Sequence, residues 1–268
     1  MNKILVTGHL GWIGKNLTKL LDEHGISWIG ADKQQEPDIL KGFVPFMKKA
    51  ESCDVIVHLA ATARIPQSWK NPDEYRENNV TLTDRITQLC TDHNKYLVFA
   101  SSSCIYGDGN GPLNPYAWTK LAGEQVIEMY GRSKNLNYTI ARIFTNYGDN
   151  DASGLVIGKW LNAHKSGNPI IVRGTGQQTR DFINVQDTAQ ALLAITQQKP
   201  HQKIIDIGTG INNKLIDIAD VFGGNIVFEP ELTGYADNTK ANLIATQQAI
   251  NWEPKIEIIS WLRSQLNK

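Results

Sequence analysis

Short, uniformly apolar runs alternate along this chain with longer stretches in which apolar residues recur every three or four positions. Lys3-Ile-Leu-Val-Thr7, Asp54-Val-Ile-Val-His58 and Tyr96-Leu-Val-Phe-Ala100 are β-branched and aliphatic. Such runs mark strands buried on both faces of a parallel sheet. Between them the period lengthens. Ile13, Leu17, Leu20 and Leu21 trace one helix, closed by Gly25. Val80, Ile86 and Leu89 trace a second, from about Asp73 to His93. A third starts near Pro115, a residue suited to a first helical turn, and reaches about residue 131. The alternation predicts an α/β fold with a Rossmann-type doubly wound parallel sheet. Beyond residue 145 the pattern blurs, with helices over roughly 154–165 and 214–222 around the apolar run Pro169–Val172. The expectation is a nucleotide domain over 1–145, with segments near 182–208 crossing back to it, and a smaller mixed lobe over 146–268.

Candidate chemistry sits where the apolar runs end. Gly8-His-Leu-Gly11-Trp-Ile-Gly14 joins the first strand to the first helix. Glycine is needed where the backbone turns tightly, approaches a pyrophosphate, or packs helix on strand. The helix N-terminus then offers free N–H groups and a positive dipole end to phosphate. Gly8, Gly11, Trp12, Ile13 and Gly14 are therefore candidates for holding a dinucleotide. Asp32 follows the strand Ser27–Ala31, where a carboxylate hydrogen-bonds the adenosine ribose and repels the extra phosphate of NADP. Lys33 weakens that exclusion, and the balance favours NAD. Read alone, Asp32 is equally an ordinary turn residue. Leu59, Ala60 and Ala61 close the third strand and let a cofactor lie across it. Asn79, in the second helix, is a further candidate, with a solvated helix position as the plainer reading.

The fourth strand delivers Ser101-Ser-Ser-Cys-Ile-Tyr-Gly107 to the carboxyl edge of the sheet, where doubly wound folds bind ligands. Tyr116 and Lys120 lie four apart on the next helix and share a face. A nearby ammonium favours a phenolate, and a positively charged nicotinamide pushes the same way. Tyr116 is then a base near neutrality. Tyrosine and lysine are common on helices, so the pair gains meaning only beside the glycine loop and the serines.

Composition narrows the class. Lys plus Arg and Asp plus Glu are 27 each, so no basic field invites nucleic acid or acidic lipid. The N-terminus runs straight into a strand pattern without a signal-peptide motif, and no apolar run is long enough for a bilayer. Three cysteines at unrelated spacings fit reduced thiols, and the six histidines make no zinc motif. These features lead to the expectation of a cytoplasmic protein with no metal.

Taken together, the motifs resemble the extended short-chain dehydrogenase/reductases, and within them the nucleotide-sugar epimerases and dehydratases. The matching pieces are T-G-x-x-G-x-x-G at Thr7–Gly14, H-L-A-A at His58–Ala61, S-S-x-x-Y-G at Ser102–Gly107 and Y-x-x-x-K at Tyr116–Lys120. Arg142-Ile-Phe-Thr-Asn-Tyr-Gly148 and Arg180-Asp-Phe-Ile-Asn-Val-Gln-Asp187 follow in the same order, and Ala249–Lys255 matches a closing segment. The resemblance implies NAD as cofactor, a nucleotide-sugar substrate and a homodimer built from the helices at about 73–93 and 115–131. It also implies catalytic roles for Ser102, Tyr116 and Lys120. By the same carry-over Ile143 and Phe144 line the nicotinamide pocket, Arg180 meets the nucleotide diphosphate, and Ser103, Cys104 and Thr145 border the substrate.

Departures from the family pattern point to a subfamily. Dehydratases place Asp-Glu directly after the catalytic residue, and decarboxylases a Glu; here those positions are Ser103 and Cys104. Epimerisation at C4 needs no further acid or base there. Ser-Ser-Cys-Ile-Tyr also resembles the GDP-fucose synthases, which epimerise at C3 and C5 and reduce at C4. Their cysteine works with a histidine, and Asp149–Ile157 contains none. The resulting expectation is an NAD-dependent nucleotide-sugar 4-epimerase. A 4-reductase and a catalytically idle NAD-binding protein are the alternatives. The loop between Gly107 and Tyr116 is shorter than usual, Thr145 replaces an asparagine, and Glu231–Gly234 lacks a second phosphate-binding arginine.

Overall fold

A computed structural model describes residues 3–35, 43–151 and 154–267. In chain order the first half comprises β1 (Ile4–Thr7), α1 (Trp12–Glu23), β2 (Trp28–Ala31), α2 (Phe43–Glu51), β3 (Val55–His58), α3 (Ile65–Lys70), α4 (Pro72–Arg76), α5 (Leu82–Asp92), β4 (Tyr96–Ser102) and α6 (Pro115–Lys134). The second half comprises β5 (Tyr138–Ile143), β6 (Thr145–Tyr147), α7 (Val156–Lys165), β7 (Ile170–Arg173), β8 (Thr179–Arg180), β9 (Phe182–Asn184) and α8 (Val185–Gln198). It closes with β10 (Lys203–Ile207), β11 (Asn213–Lys214), α9 (Leu215–Asp220), β12 (Ile226–Glu229), α10 (Ile244–Ile250) and α11 (Ile258–Leu266).

Six strands form one parallel sheet in the order β2-β1-β3-β4-β5-β10. Alternation along each strand explains why the apolar runs are unbroken. Ile4, Val6, Val55, Val57 and Val98 point to the face covered by α1 and α8. Leu5, Ile56, Leu97, Phe99 and Ile140 point to the other, with Ile86, Leu89 and Ile127 from α5 and α6. Both faces are therefore dry over the central strands β1, β3 and β4, whose positions are all buried, whereas β5 and β10 also carry Arg142, Lys203 and Asp206. The strand order reverses between β1 and β3, which opens the crevice at the carboxyl edge where such sheets bind ligands.

β10 returns to the large sheet beside β5, and α8 packs on α1. The small pairs β6–β9, β7–β12 and β8–β11 build a second lobe, two of them parallel and one antiparallel. Its own core gathers Tyr147, Trp160, Phe182, Ile218 and Leu262. Among the described residues, no helix is long and apolar enough to cross a membrane.

The second predicted helix differs from expectation. Instead of one run from 73 to 93, α4 and α5 are joined by a π-helical turn over Glu77–Thr81. A π turn adds a residue without breaking the apolar period on either side, so periodicity does not show it; such turns cluster at functional sites.

Candidate active site

The glycine loop has no room for side chains at its tightest points. Gly8 adopts φ +70°, and a Cβ there would lie 2.7 Å from the backbone nitrogen of Ala60. At Gly14 a Cβ would lie 2.3 Å from the carbonyl oxygen of Gly8. α1 then begins at Gly11 with no side-chain cap and no acidic residue in its first turn. Its leading N–H groups and positive dipole end are left for an anion. Gly8, Gly11, Asp32, Lys33, Leu59, Ala60 and Ala61 line a groove in front of it. Asp32 is buried at the rim: its carboxylate accepts N–H bonds from Leu10 at 3.1 Å and Gln34 at 3.0 Å. It therefore ties the glycine loop to the end of β2 as well as facing the groove. Ile13 packs into the core and the Trp12 indole N–H donates to the Asp149 carbonyl at 2.9 Å, so to a phosphate these two offer backbone N–H. This donor set fits a dinucleotide.

Asn79 takes a different place from the expected one. Its Oδ1 accepts the Thr62 N–H at 2.8 Å, and its Nδ2 donates to the Thr62 carbonyl at 2.9 Å and to Thr119 Oγ1 at 3.0 Å. Both amide protons are used, so Asn79 cannot donate to a cofactor. It clamps the loop after β3 to α6 instead. The π turn is what aims it there, and the Thr83 hydroxyl donates to its carbonyl at 2.7 Å. Thr83 also meets His58 Nε2 at 3.1 Å, and His58 Nδ1 meets Thr7 Oγ1 at 2.8 Å. Since the Thr83 hydroxyl already donates to the Asn79 carbonyl, His58 Nε2–H donates to Thr83 Oγ1, and Nδ1 accepts from Thr7, whose Oγ1 accepts the Ala60 N–H at 3.2 Å. Full burial pushes the His58 pKa down to about 3, so it is a neutral structural link.

α6 opens with Asn114 as N-cap, accepting the Ala117 N–H at 2.8 Å, and Pro115 in the first turn. The start is fixed, and with it the position of Tyr116 at the carboxyl edge of β4. Ser102, buried at the end of β4, lies beside Tyr116, and its Oγ accepts the Cys104 N–H at 3.2 Å. Burial pushes the Tyr116 pKa well above the ordinary tyrosine range; the neighbouring Ser102 hydroxyl offsets this only in part. Lys120 does not counter it. Its Nζ donates to the Ala100 carbonyl at 2.8 Å and lies 4.9 Å from the Phe99 ring centre. Of the two influences expected to favour the phenolate, Lys120 is here turned to the Ala100 carbonyl, and the positive nicotinamide comes only with the cofactor.

Glu124 was not singled out by sequence, yet it lies one turn beyond Lys120 and is fully buried. The Arg142 guanidinium clasps its carboxylate, Nη2 at 2.7 Å and Nε at 3.1 Å, and the Ser101 hydroxyl donates to it as well. Arg142 also donates to the Tyr106 hydroxyl at 2.9 Å, which in turn donates to Asp206 at 2.7 Å. Burial lowers the Lys120 pKa to about 8, with Glu124 acting in the opposite direction. The visible signal for this network was Arg142 in its motif, but not the partner it would choose.

Other expected residues border the same edge. Ser103 is buried in the 3₁₀ turn Ser103–Tyr106. Cys104 lies in electrostatic reach of Tyr116, Arg180 and Tyr235, and burial raises its thiol pKa. Ile143 pairs in register with Ser102, and half-buried Thr145 opens β6. Arg180 donates to the carbonyls of Thr179 at 2.7 Å and Asp237 at 3.1 Å, leaving other N–H groups without a partner among the described residues. It pairs with neither nearby aspartate. Asp181 collects the N–H groups of Thr209, Gly210 and Ala241, and Asp187 those of Lys255 and Ile256. Of the segment Asp149–Ile157, positions 152 and 153 lie outside the described residues.

A parallel sheet with an uncapped glycine loop, and a Ser–Tyr–Lys set at its carboxyl edge, defines a nucleotide-dependent oxidoreductase-type site. The sequence profile of the NAD dependent epimerase/dehydratase family matches residues 4–208, and the chain belongs to that family, with NAD as its cofactor. It is 29% identical to the uncharacterised UDP-glucose epimerase YtcB of Bacillus subtilis, over 98% of this chain and 96% of that one. It is also 29% identical to a UDP-glucuronate 4-epimerase of Thermodesulfobacterium geofontis, over 100% and 96%. Among solved structures, MoeE5 in complex with UDP-glucose and NAD superposes with a TM-score of 0.91 at 25% identity, covering 99% and 97% of the two chains.

Proposed function

We propose that this chain is a nucleotide-sugar 4-epimerase that works through a transient 4-keto sugar. The observation that carries this reading is Ser102 beside Tyr116, with Lys120 buried one turn further along α6 and Ser103 and Cys104 where elimination would need an acid and a base. The relatives named as UDP-glucose and UDP-glucuronate epimerases, aligned over nearly their whole length, support it.

Gly8, Gly11, Gly14 and the first N–H groups of α1 hold the dinucleotide, with Asp32 at the ribose end and Ile143 near the reacting ring. Bound NAD supplies a hydride acceptor that later returns the hydride, and a positive charge beside Tyr116. Tyr116 takes the proton from the C4 hydroxyl; Ser102 donates to or accepts from that hydroxyl and keeps it aligned. Lys120, fixed between Ala100 and α6, braces the ribose side of the site. After the keto sugar has turned over, Tyr116 returns the proton to the oxygen on the inverted carbon. Arg180 holds the diphosphate through its free N–H groups. The segment Asp149–Ile157 supplies no histidine to work with Cys104, which disfavours a double epimerase.

We further place the protein in the cytoplasm, where the free thiols of Cys53, Cys90 and Cys104 stay reduced. It is a homodimer formed through α4–α5 and α6. Supporting this, Trp118 and Met129 on α6 are 48% and 47% exposed and lie three helical turns apart on one face. The test of the function is to incubate the protein with UDP-, GDP-, dTDP- and ADP-sugars and follow C4 inversion by NMR. Tyr116→Phe is expected to abolish turnover while NAD stays bound; a fully active Tyr116→Phe variant would sink the mechanism.

A further inference from the structure

Three consecutive residues of the glycine loop are fastened to three consecutive positions at the end of β2, the edge strand of the large sheet. The Gly8 N–H donates to the Ala31 carbonyl at 2.8 Å, and the Leu10 N–H donates to the Asp32 carboxylate at 3.1 Å. Between these hydrogen bonds the third fastening is steric. His9 is 7% exposed, and its ring lies on Gly30. A Cβ built on Gly30 would be 2.6 Å from each of the His9 atoms Cγ, Cδ2 and Cε1. Equal distances to atoms around the ring put that position under the ring's face. Glycine inside a strand marks a close approach of this kind.

The seat is closed from two further sides. Trp28, on the same face of β2 as Gly30, lies 5.9 Å from the His9 ring between centroids, and its indole N–H donates to Asp22 of α1 at 2.7 Å. On the loop's other side a Cβ at Gly14 would lie 2.7 Å from His9 Cα and 2.9 Å from its carbonyl carbon. The backbone of His9 is thus pressed on α1 while its ring is pressed on β2. Hydrogen bonding does not account for the imidazole. Its Nδ1 is buried with no partner among the described residues, which costs stability, so the ring is kept for its shape.

We propose that His9 is a positioning residue for NAD. Its ring, seated on Gly30, sets the loop from Gly8 to Gly11 in the shape that receives the pyrophosphate before the cofactor arrives. The N–H donors then need no rearrangement on binding, and affinity is gained by preorganisation.

The test is the calorimetric affinity of the full chain for NAD. In Gly30→Ala the rigid ring has to move and takes the loop backbone with it, so affinity is expected to fall by about tenfold or more. His9→Ala frees the loop and is expected to lose about threefold. The double variant His9→Ala/Gly30→Ala is expected to bind NAD as His9→Ala does, because the added methyl then fills the vacated seat. A general loss of stability does not produce that recovery. His9→Phe keeps a ring in the seat and is expected to stay within about twofold of wild type. Wild-type affinity in either single alanine variant overturns the proposal, as does a double variant no tighter than Gly30→Ala. A loss in His9→Phe equal to that in His9→Ala overturns it too, and assigns the effect to an imidazole nitrogen. Should Gly30→Ala fail to fold, the double variant still has to fold and match His9→Ala. Gly8→Ala reports on the loop alone: wild-type affinity there would place NAD elsewhere and overturn the loop assignment together with this inference.

Discussion

Burial and a carboxylate pull Lys120 in opposite directions. Burial brings its pKa down to about 8, and Glu124 limits the fall. Between that value and the pKa of an unfolded lysine, near 10.4, the native state binds fewer protons than the unfolded one. The charged Lys120 therefore costs stability below pH 8, and the cost fades as pH rises through this window. Lys120→Met is expected to be more favourable relative to wild type at pH 7 than at pH 10, by on the order of 3 kcal/mol. Urea unfolding of both proteins across that range measures it, and parallel stability curves would contradict it. At this scale the motifs carried Ser102, Tyr116 and Lys120. They could not carry Glu124, because nothing in the sequence separates it from half-buried Glu128 one turn later. Its partner Arg142 comes from another strand, and only packing chooses between the two carboxylates.

Among the elements, the π turn between α4 and α5 has the clearest consequence. It aims Asn79 inward, where one side chain holds both the loop after β3 and the start of α6. Asn79→Ala leaves the Thr62 N–H without that partner inside the protein, a loss of about 2 kcal/mol. It is also expected to lower kcat more than it changes NAD affinity, since α6 carries Tyr116. Thermal unfolding and steady-state kinetics would check this; unchanged stability and kcat would show that the clamp is dispensable. The central strands and long helices were legible because β1, β3 and β4 are buried on two faces and the long helices on one. The π turn was not, since apolar spacing on both sides of it remains helical. Nor was the use of Asn79, as sequence alone cannot tell an inward asparagine from a solvated one.

The whole molecule joins its lobes through contacts that no local pattern announces. Trp12 reaches Asp149, and Asn114, while capping α6, donates to the Gly234 carbonyl at 2.8 Å. The short loop before Tyr116 is thus tied to the second lobe. Loop meetings of this kind depend on the assembled sheet, which is why the sequence suggested an unusual entrance without its shape. At this scale the dimer is also testable. Sedimentation is expected to give twice the chain mass, and Trp118→Glu to shift it toward the monomer; a monomeric wild type would refute the α6 interface. The most direct measurement on the central claim is epimerisation in D₂O with the NAD-bound protein and a nucleotide sugar that it turns over. The expected product is inverted at C4, carries no deuterium on carbon, and forms without net consumption of NADH. Deuterium on a product carbon, or one NADH consumed per turnover, would contradict 4-epimerisation by an internally returned hydride.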